Sequence, residues 1–141
     1  MKHVLSAEVI VGGTASGPLL ILKEPVSFWG GIDEATGRII DHHHPQYGEN
    51  VTGTALFMTA TRGSSSSSST FLECVRFRTA PAILLLTERD AILPVAAAAA
   101  WEIYDRGPTV VIVDEDVDLT SATSIAINGH TVYTVGPRPG S

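Results

Sequence analysis

Thr61-Arg62-Gly63-Ser64-Ser65 is the segment of this chain with the clearest capacity for chemistry. It follows an apolar run, Thr54–Met58, and precedes apolar residues at helical spacing, Phe71, Cys74 and Val75 with Arg78 beyond. A glycine at a strand-to-helix turn lets the backbone turn tightly, and the N–H groups that follow point outward along the helix axis. Those free donors and the helix dipole favour negative charge. Two uses follow: binding a carboxylate or phosphate, or stabilising a serine alkoxide that acts as a base. Helix capping with a polar turn explains the same residues, and physics alone gives it at least equal weight. No Gly-Lys-Ser/Thr closes the turn, so it is not a nucleotide-binding P-loop.

Other reactive residue types are less specific. Asp41-His42-His43-His44-Pro45 invites a metal reading, but on an extended chain only His42 and His44 share a face. Two ligands do not make a structural zinc site, so histidines packed at a loop or interface are the expectation and no metal is assigned. Trp29, flanked by Phe28 and Gly30-Gly31, is either a core anchor or an exposed interface aromatic. With Asp33 and His44 it forms the set of interface or loop candidates. Asp114, Glu115, Asp116 and Asp118 lack the spacing of a calcium loop and read as a solvated strand end. Cys74, the single cysteine, falls on the apolar helix face and reads as a buried thiol.

The elements that must position these residues follow from periodicity and punctuation. Strands are expected over Val4–Val11, Leu19–Leu22, Thr54–Met58, Ala82–Leu86 and Thr109–Val113, with a weak one within Gly37–Asp41. Helices are expected after the serine tract and over Leu93–Tyr104, the second closed by Gly107-Pro108. Asn128-Gly129 between apolar runs predicts a closing hairpin with a type I′ turn. Alternating strands and helices in the second half imply parallel α/β structure, with more β-rich structure before it. Glu24–Gly53, rich in Gly, Pro, His and acids, is too long for an idle loop and points to a functional or partner-binding role.

At 141 residues the chain suffices for one domain, read as residues 1–135 with a C-terminal tail at 136–141. Nine Lys and Arg against fifteen Asp and Glu give a net charge of −6, which argues against nucleic acid or an anionic membrane as partner. One cysteine excludes an internal disulfide framework and cannot hold an iron–sulfur cluster alone. The N-terminus lacks a signal-peptide pattern, and no apolar run reaches the roughly eighteen residues of a membrane span. A cytoplasmic location is expected.

Several separated motifs carry a family likeness. Ser27-Phe28-Trp29-Gly30-Gly31-Ile32-Asp33, Thr36-Gly37, Ile40-Asp41, His44-Pro45, Gly48, Arg62-Gly63 with the serines after it, and Thr79-Ala80-Pro81 resemble the small subunit of the aconitase X family. The likeness runs in order over about residues 12 to 115. It implies the swivelling β/β/α domain of aconitase, an α/β fold that closes over an active site held mostly by a larger partner. It further implies a hydro-lyase active only with its large subunit, which would carry iron or an iron–sulfur cluster, this chain binding no cofactor itself. Ser64 maps onto the serine that abstracts the proton α to a carboxylate, and Ser65 would assist by hydrogen bonding. Aconitases carry Arg and Glu where this chain has Ser66 and Ser67, so Arg62, with Gly63 beside it, is the candidate for holding the substrate carboxylate. Thr61 stands where another glycine is expected.

Family members resemble cis-3-hydroxy-L-proline dehydratases, which form Δ1-pyrroline-2-carboxylate, or mevalonate 5-phosphate dehydratases. The absence of a basic cluster suited to phosphate leans to the first. A reading from another class, a non-catalytic module that binds an anion at the serine turn and docks a partner, stands beside both.

Overall fold

The computed structural model describes residues 2–59, 66–88 and 92–136. In chain order its elements are β1 (Lys2–Leu5), β2 (Glu8–Val11), β3 (Gly13–Ile21), the kinked turn α1 (Phe28–Gly31), β4 (Ala55–Met58), α2 (Ser66–Phe77), β5 (Ile83–Leu86), α3 (Ile92–Tyr104), β6 (Thr109–Ile112), β7 (Ser124–Gly129) and β8 (Thr131–Val135). The strands form one sheet in the order β1-β8-β7-β3-β4-β5-β6-β2. Strands β3 to β6 run parallel, and the remaining pairings are antiparallel.

The central strands β4 and β5 are apolar at every position, so both faces need cover. Alternation sends Ala55, Ile83, Leu85 and Val111 to one core and Leu56, Met58, Leu84, Leu86 and Val110 to the other. The second core is closed by Phe71, Cys74 and Val75 of α2 and by Leu93, Ala96, Ala97 and Ala100 of α3. The first is closed by the sheet itself, through Ile125, Ile127 and Val132 with Leu5, Ala7 and Val9 packed against them. Two β layers and one helical layer result.

The single strand expected over Val4–Val11 is two. Its halves pair with opposite edges of the sheet, β1 with β8 and β2 with β6. Only Ser6-Ala7 joins them, a span of about 10 Å between Leu5 and Glu8, so the two edges must curl toward one another. β3 is longer than its apolar run suggests. Gly13–Pro18 pair with β7 and Leu19–Ile21 pair with β4, so one strand belongs to both halves of the sheet. Gly17, just before the expected strand Leu19–Leu22, lies inside β3, and it is a glycine because a Cβ there would sit 2.3 Å from the Gly53 carbonyl oxygen. The closing hairpin forms, but its register pairs Asn128 with Thr131, so Gly129-His130 are the turn residues. A positive φ at Gly129 alone suits a type II′ turn rather than the expected I′.

The long Gly- and His-rich segment has a topological reason. Parallel strands β3 and β4 require the chain to return from the carboxyl end of one to the amino end of the next. Residues 22–54 make that return without a regular helix, burying Val26, Phe28, Ile32, Ile39 and Val51 against the helical core. The strand expected within Gly37–Asp41 is reduced to two isolated bridges, Ile32 to Ile39 and Arg38 to Asn50. Where the return passes the end of α2, the Thr79 hydroxyl donates to the Glu34 carbonyl oxygen at 2.6 Å. Gly37 sits against the same point with φ +78°, and a Cβ there would meet Thr52 Oγ1 at 2.1 Å and the Thr79 carbonyl oxygen at 3.0 Å.

Gly37→Ala therefore combines a left-handed backbone with overlap and is expected to destabilise the chain by about 2–4 kcal/mol. A shift in urea midpoint, compared with Gly48→Ala, whose Cβ would meet nothing within 4 Å, checks it.

Candidate functional site

In a parallel sheet the carboxyl ends of the strands form the natural rim for a site. Here β3, β4, β5 and β6 all deliver their carboxyl ends to one rim. The serine tract joins β4 to α2 there. Arg62, Gly63, Ser64 and Ser65 lie outside the described residues. The elements on either side are the strand and helix that the turn chemistry requires, with Thr59 as the last described residue before it and Ser66 opening α2. Ser66–Ser69 are helical, so four of the six serines make the first turn rather than a linker. No acidic residue stands in that turn, which leaves the positive end of the helix dipole unopposed by α2 itself.

Beside this junction, a cleft of about 470 Å³ opens between the ends of β5 and β6 and the Ser6-Ala7 link. Glu8, Asp114 and Glu115 line it, with Thr87 at its edge. No cation is among its described lining residues, and three carboxylates are, so those residues alone do not favour an anion. Asp118, in the acidic stretch beyond, accepts bonds from the Thr120 hydroxyl and backbone N–H, which hold its carboxyl below the usual range.

The return segment is tied down by side chains on which sequence reasoning had partial purchase. Phe28 is buried and meets Phe71 of α2 edge-on, ring centroids 5.1 Å apart. One residue on, Trp29 turns outward and is 64% exposed. It is therefore displayed beside the N-terminal half of α2, held in place by its neighbour. The Asp33 carboxylate accepts bonds from the Ala35 N–H at 3.1 Å and the Thr36 hydroxyl at 3.0 Å, closing the turn into Gly37. His44 is buried; its Nδ1 accepts from the Gln46 N–H at 3.0 Å, so its Nε2 carries the proton donated to the Glu24 carbonyl at 2.8 Å. His42, in contrast, stacks on exposed Tyr47 with ring centroids 4.5 Å apart. Trp29 thus faces solvent, while Asp33 and His44 serve the loop's own geometry.

Two residues of consequence had no signal in the sequence. Gln46 extends the end of β3, its Oε1 accepting from Lys23 N–H at 2.8 Å and its Nε2 donating to the Ile21 carbonyl at 2.9 Å. The Thr87 hydroxyl donates to the Thr59 carbonyl oxygen. All three bonds join positions more than twenty residues apart, which spacing within one element cannot reveal.

Comparison with known proteins gives a consistent result. Residues 4–135 match the family model described as the aconitase X swivel domain. A cis-3-hydroxy-L-proline dehydratase of Hypocrea jecorina is 41% identical over 127 residues, which is 89% of this chain and 21% of that protein. The chain thus spans about a fifth of that relative's length. A phosphomevalonate dehydratase small subunit of Methanocella arvoryzae is 32% identical, over 82% of this chain and 90% of that one. Among solved structures, Thermococcus kodakaraensis aconitase X in its holo form superposes with a TM-score of 0.77 at 23% identity, covering 94% of this chain and 98% of that chain. This likeness shows the swivelling β/β/α fold.

An iron–sulfur centre needs thiolates, and this chain does not fit one. Cys74 is buried, and loss of solvent pushes its thiol up to about 11 from an ordinary 9.0, opposed in part by a bond to Thr79. Among the described residues no three His, Cys, Asp or Glu side chains converge as a metal site, and no helix is long and apolar enough to cross a membrane. Cys74 should resist thiol reagents in the native chain at pH 8 and react only as it unfolds. Because its folded value is raised, the stability it contributes is complete below pH 9 and is lost as pH rises toward 11. The urea midpoint of the wild type should therefore fall more steeply over that window than that of Cys74→Ala.

Proposed function

The chain belongs to the aconitase X swivel-domain family, and on that premise we propose that it is the base-bearing small subunit of a hydro-lyase for cis-3-hydroxy-L-proline. The observation that carries the reading is the placement of the serine tract between β4 and α2, at the rim formed by four parallel strand ends. Ser64 stands two residues before the first described residue of α2, where helix donors and dipole favour an alkoxide. Its Oγ takes the proton from the carbon α to the substrate carboxylate. The electron pair left behind forms the double bond as the 3-hydroxyl departs, taking up a proton to leave as water. The resulting enamine rearranges to Δ1-pyrroline-2-carboxylate. Ser65 hydrogen-bonds within this turn, and Arg62, beside Gly63, pairs with the carboxylate.

The remaining parts of the reading concern a second chain. The large subunit holds the iron or iron–sulfur centre, since this chain has a single, buried cysteine and, among the described residues, no converging set of metal ligands. Trp29 docks against that subunit: an exposed tryptophan between a buried phenylalanine and two glycines has the character of an interface anchor. A free thiol without a disulfide framework suits the cytoplasm.

Two other readings are kept. A mevalonate 5-phosphate dehydratase small subunit is supported by a relative of that name that is 32% identical and covered over 90% of its length. The acidic cleft does not separate the two substrates, since its described lining offers no cation to a phosphate or to a carboxylate. A non-catalytic anion-binding and docking module would retain the serine turn for binding alone.

Two measurements on the complex with the large subunit test the proposal. Ser64→Ala should reduce turnover by about 10²–10⁴-fold with folding and assembly intact. Retention of more than a few per cent of activity would remove Ser64 as the base and favour the binding module. Trp29→Ala should leave the melting temperature of the isolated chain unchanged and weaken subunit association by about 10–100-fold, read by titration calorimetry.

A further inference from the structure

The backbone ladder between parallel strands β4 and β5 ends in register at Met58 and Leu86. One residue further on, the Thr87 hydroxyl donates to the carbonyl oxygen of Thr59. A side chain thus continues the pairing where the main-chain ladder stops. The bond braces the β4 exit onto the β5 exit at the rim, and β5 is itself held from its other side by the Val113 N–H, which donates to the Leu86 carbonyl at 2.8 Å. Thr87 itself lies in a bend just beyond β5, so this bond is made by its side chain outside the ladder.

Thr59 is also where the chain leaves the sheet toward the serine turn, and Ser66 is where helix α2 receives it. Six residues join these two points. With α2 packed against the sheet through Phe71, Cys74 and Val75, one end of that short span is set by the helical core. The other is set by the Thr87 bond. We infer that Thr87 is a positioning residue for the reaction: its hydroxyl fixes the point from which the chain departs toward Ser64. The inference rests on the reading of Ser64 as the base. Reaction rates are steep in such placement, a displacement of about 1 Å costing as much as 10²-fold.

The test is steady-state kinetics on cis-3-hydroxy-L-proline in the complex with the large subunit, for the wild type, Thr87→Val, Thr87→Ser, Ser64→Ala and the Thr87→Val/Ser64→Ala double variant. Thr87→Val keeps the shape and removes the bond. It should lower kcat by about 10–100-fold while KM changes by less than about threefold. Thr87→Ser, which restores a hydroxyl, should return kcat to within about threefold of the wild type, and Thr87→Val should have no further effect once Ser64 is removed. Melting temperature and yield of the complex, measured on the same samples, separate placement from folding. The inference is overturned if Thr87→Val keeps wild-type kcat while Ser64→Ala is inactive, if its loss of activity only tracks loss of assembled complex, or if Thr87→Ser does not rescue. Turnover by Ser64→Ala would instead overturn the base assignment, and this inference with it.

Discussion

The constraint on which the rest of this structure depends is that strands β4 and β5 are apolar on both faces. Met58, Leu84 and Leu86 face one way, Ala55, Ile83 and Leu85 the other, all of them inaccessible to solvent. At roughly 1.5–3 kcal/mol for each large side chain withdrawn from water, neither face can be left open. Helices α2 and α3 cover one. The other has no helices to cover it, so the sheet covers itself, with antiparallel strands β1, β7 and β8 carried around by the curl that the Ser6-Ala7 link enforces. A sheet that is parallel in the middle and antiparallel at its flanks is the consequence.

The placement of the candidate site follows from the same arrangement. Parallel strands put their carboxyl ends together, and each must hand the chain to a crossover. At β4 and β5 the crossover is a helix. At β3 it is the Gly- and His-rich return segment, whose buried Val26, Phe28, Ile32, Ile39 and Val51 cover the sheet as a helix would. Its irregular backbone is what permits Phe28 to point inward and Trp29 outward on adjacent residues. The serine turn, the acidic cleft and the start of the Trp29 segment therefore share one side of the domain because the topology gives them no other place. That grouping suits a domain that contributes one reactive side chain to a site completed by a larger partner.

Much of this was legible in the sequence, and the remainder was hidden for identifiable reasons. Apolar runs such as Ile83–Leu86, helical spacing at Phe71, Cys74 and Val75, and the Gly107-Pro108 stop are local signals, and the corresponding elements form. The break at Ser6-Ala7 was invisible because both halves have strand character and only their partners differ. Gly17 fell outside the expected strand Leu19–Leu22 because its reason for being glycine is the approach of Gly53, thirty-six residues later. The hairpin turn moved by one residue because β7 pairs on its other side with β3, whose register carries Gly13 opposite Gly129. Trp29 was legible as an alternative between core and surface, and only the burial of Phe28 decides it. His44 and Gln46 show the limit most clearly, since their partners lie on the far side of the return segment.

The central claim is that this domain serves a dehydratase acting on a hydroxylated proline. It is tested most directly by co-expressing the chain anaerobically with its large subunit and offering cis-3-hydroxy-L-proline and mevalonate 5-phosphate in parallel. The account predicts elimination of water from the first, detected as Δ1-pyrroline-2-carboxylate, and no reaction with the second. A well-formed, metal-loaded complex that leaves cis-3-hydroxy-L-proline untouched, or that dehydrates mevalonate 5-phosphate in its place, would contradict it.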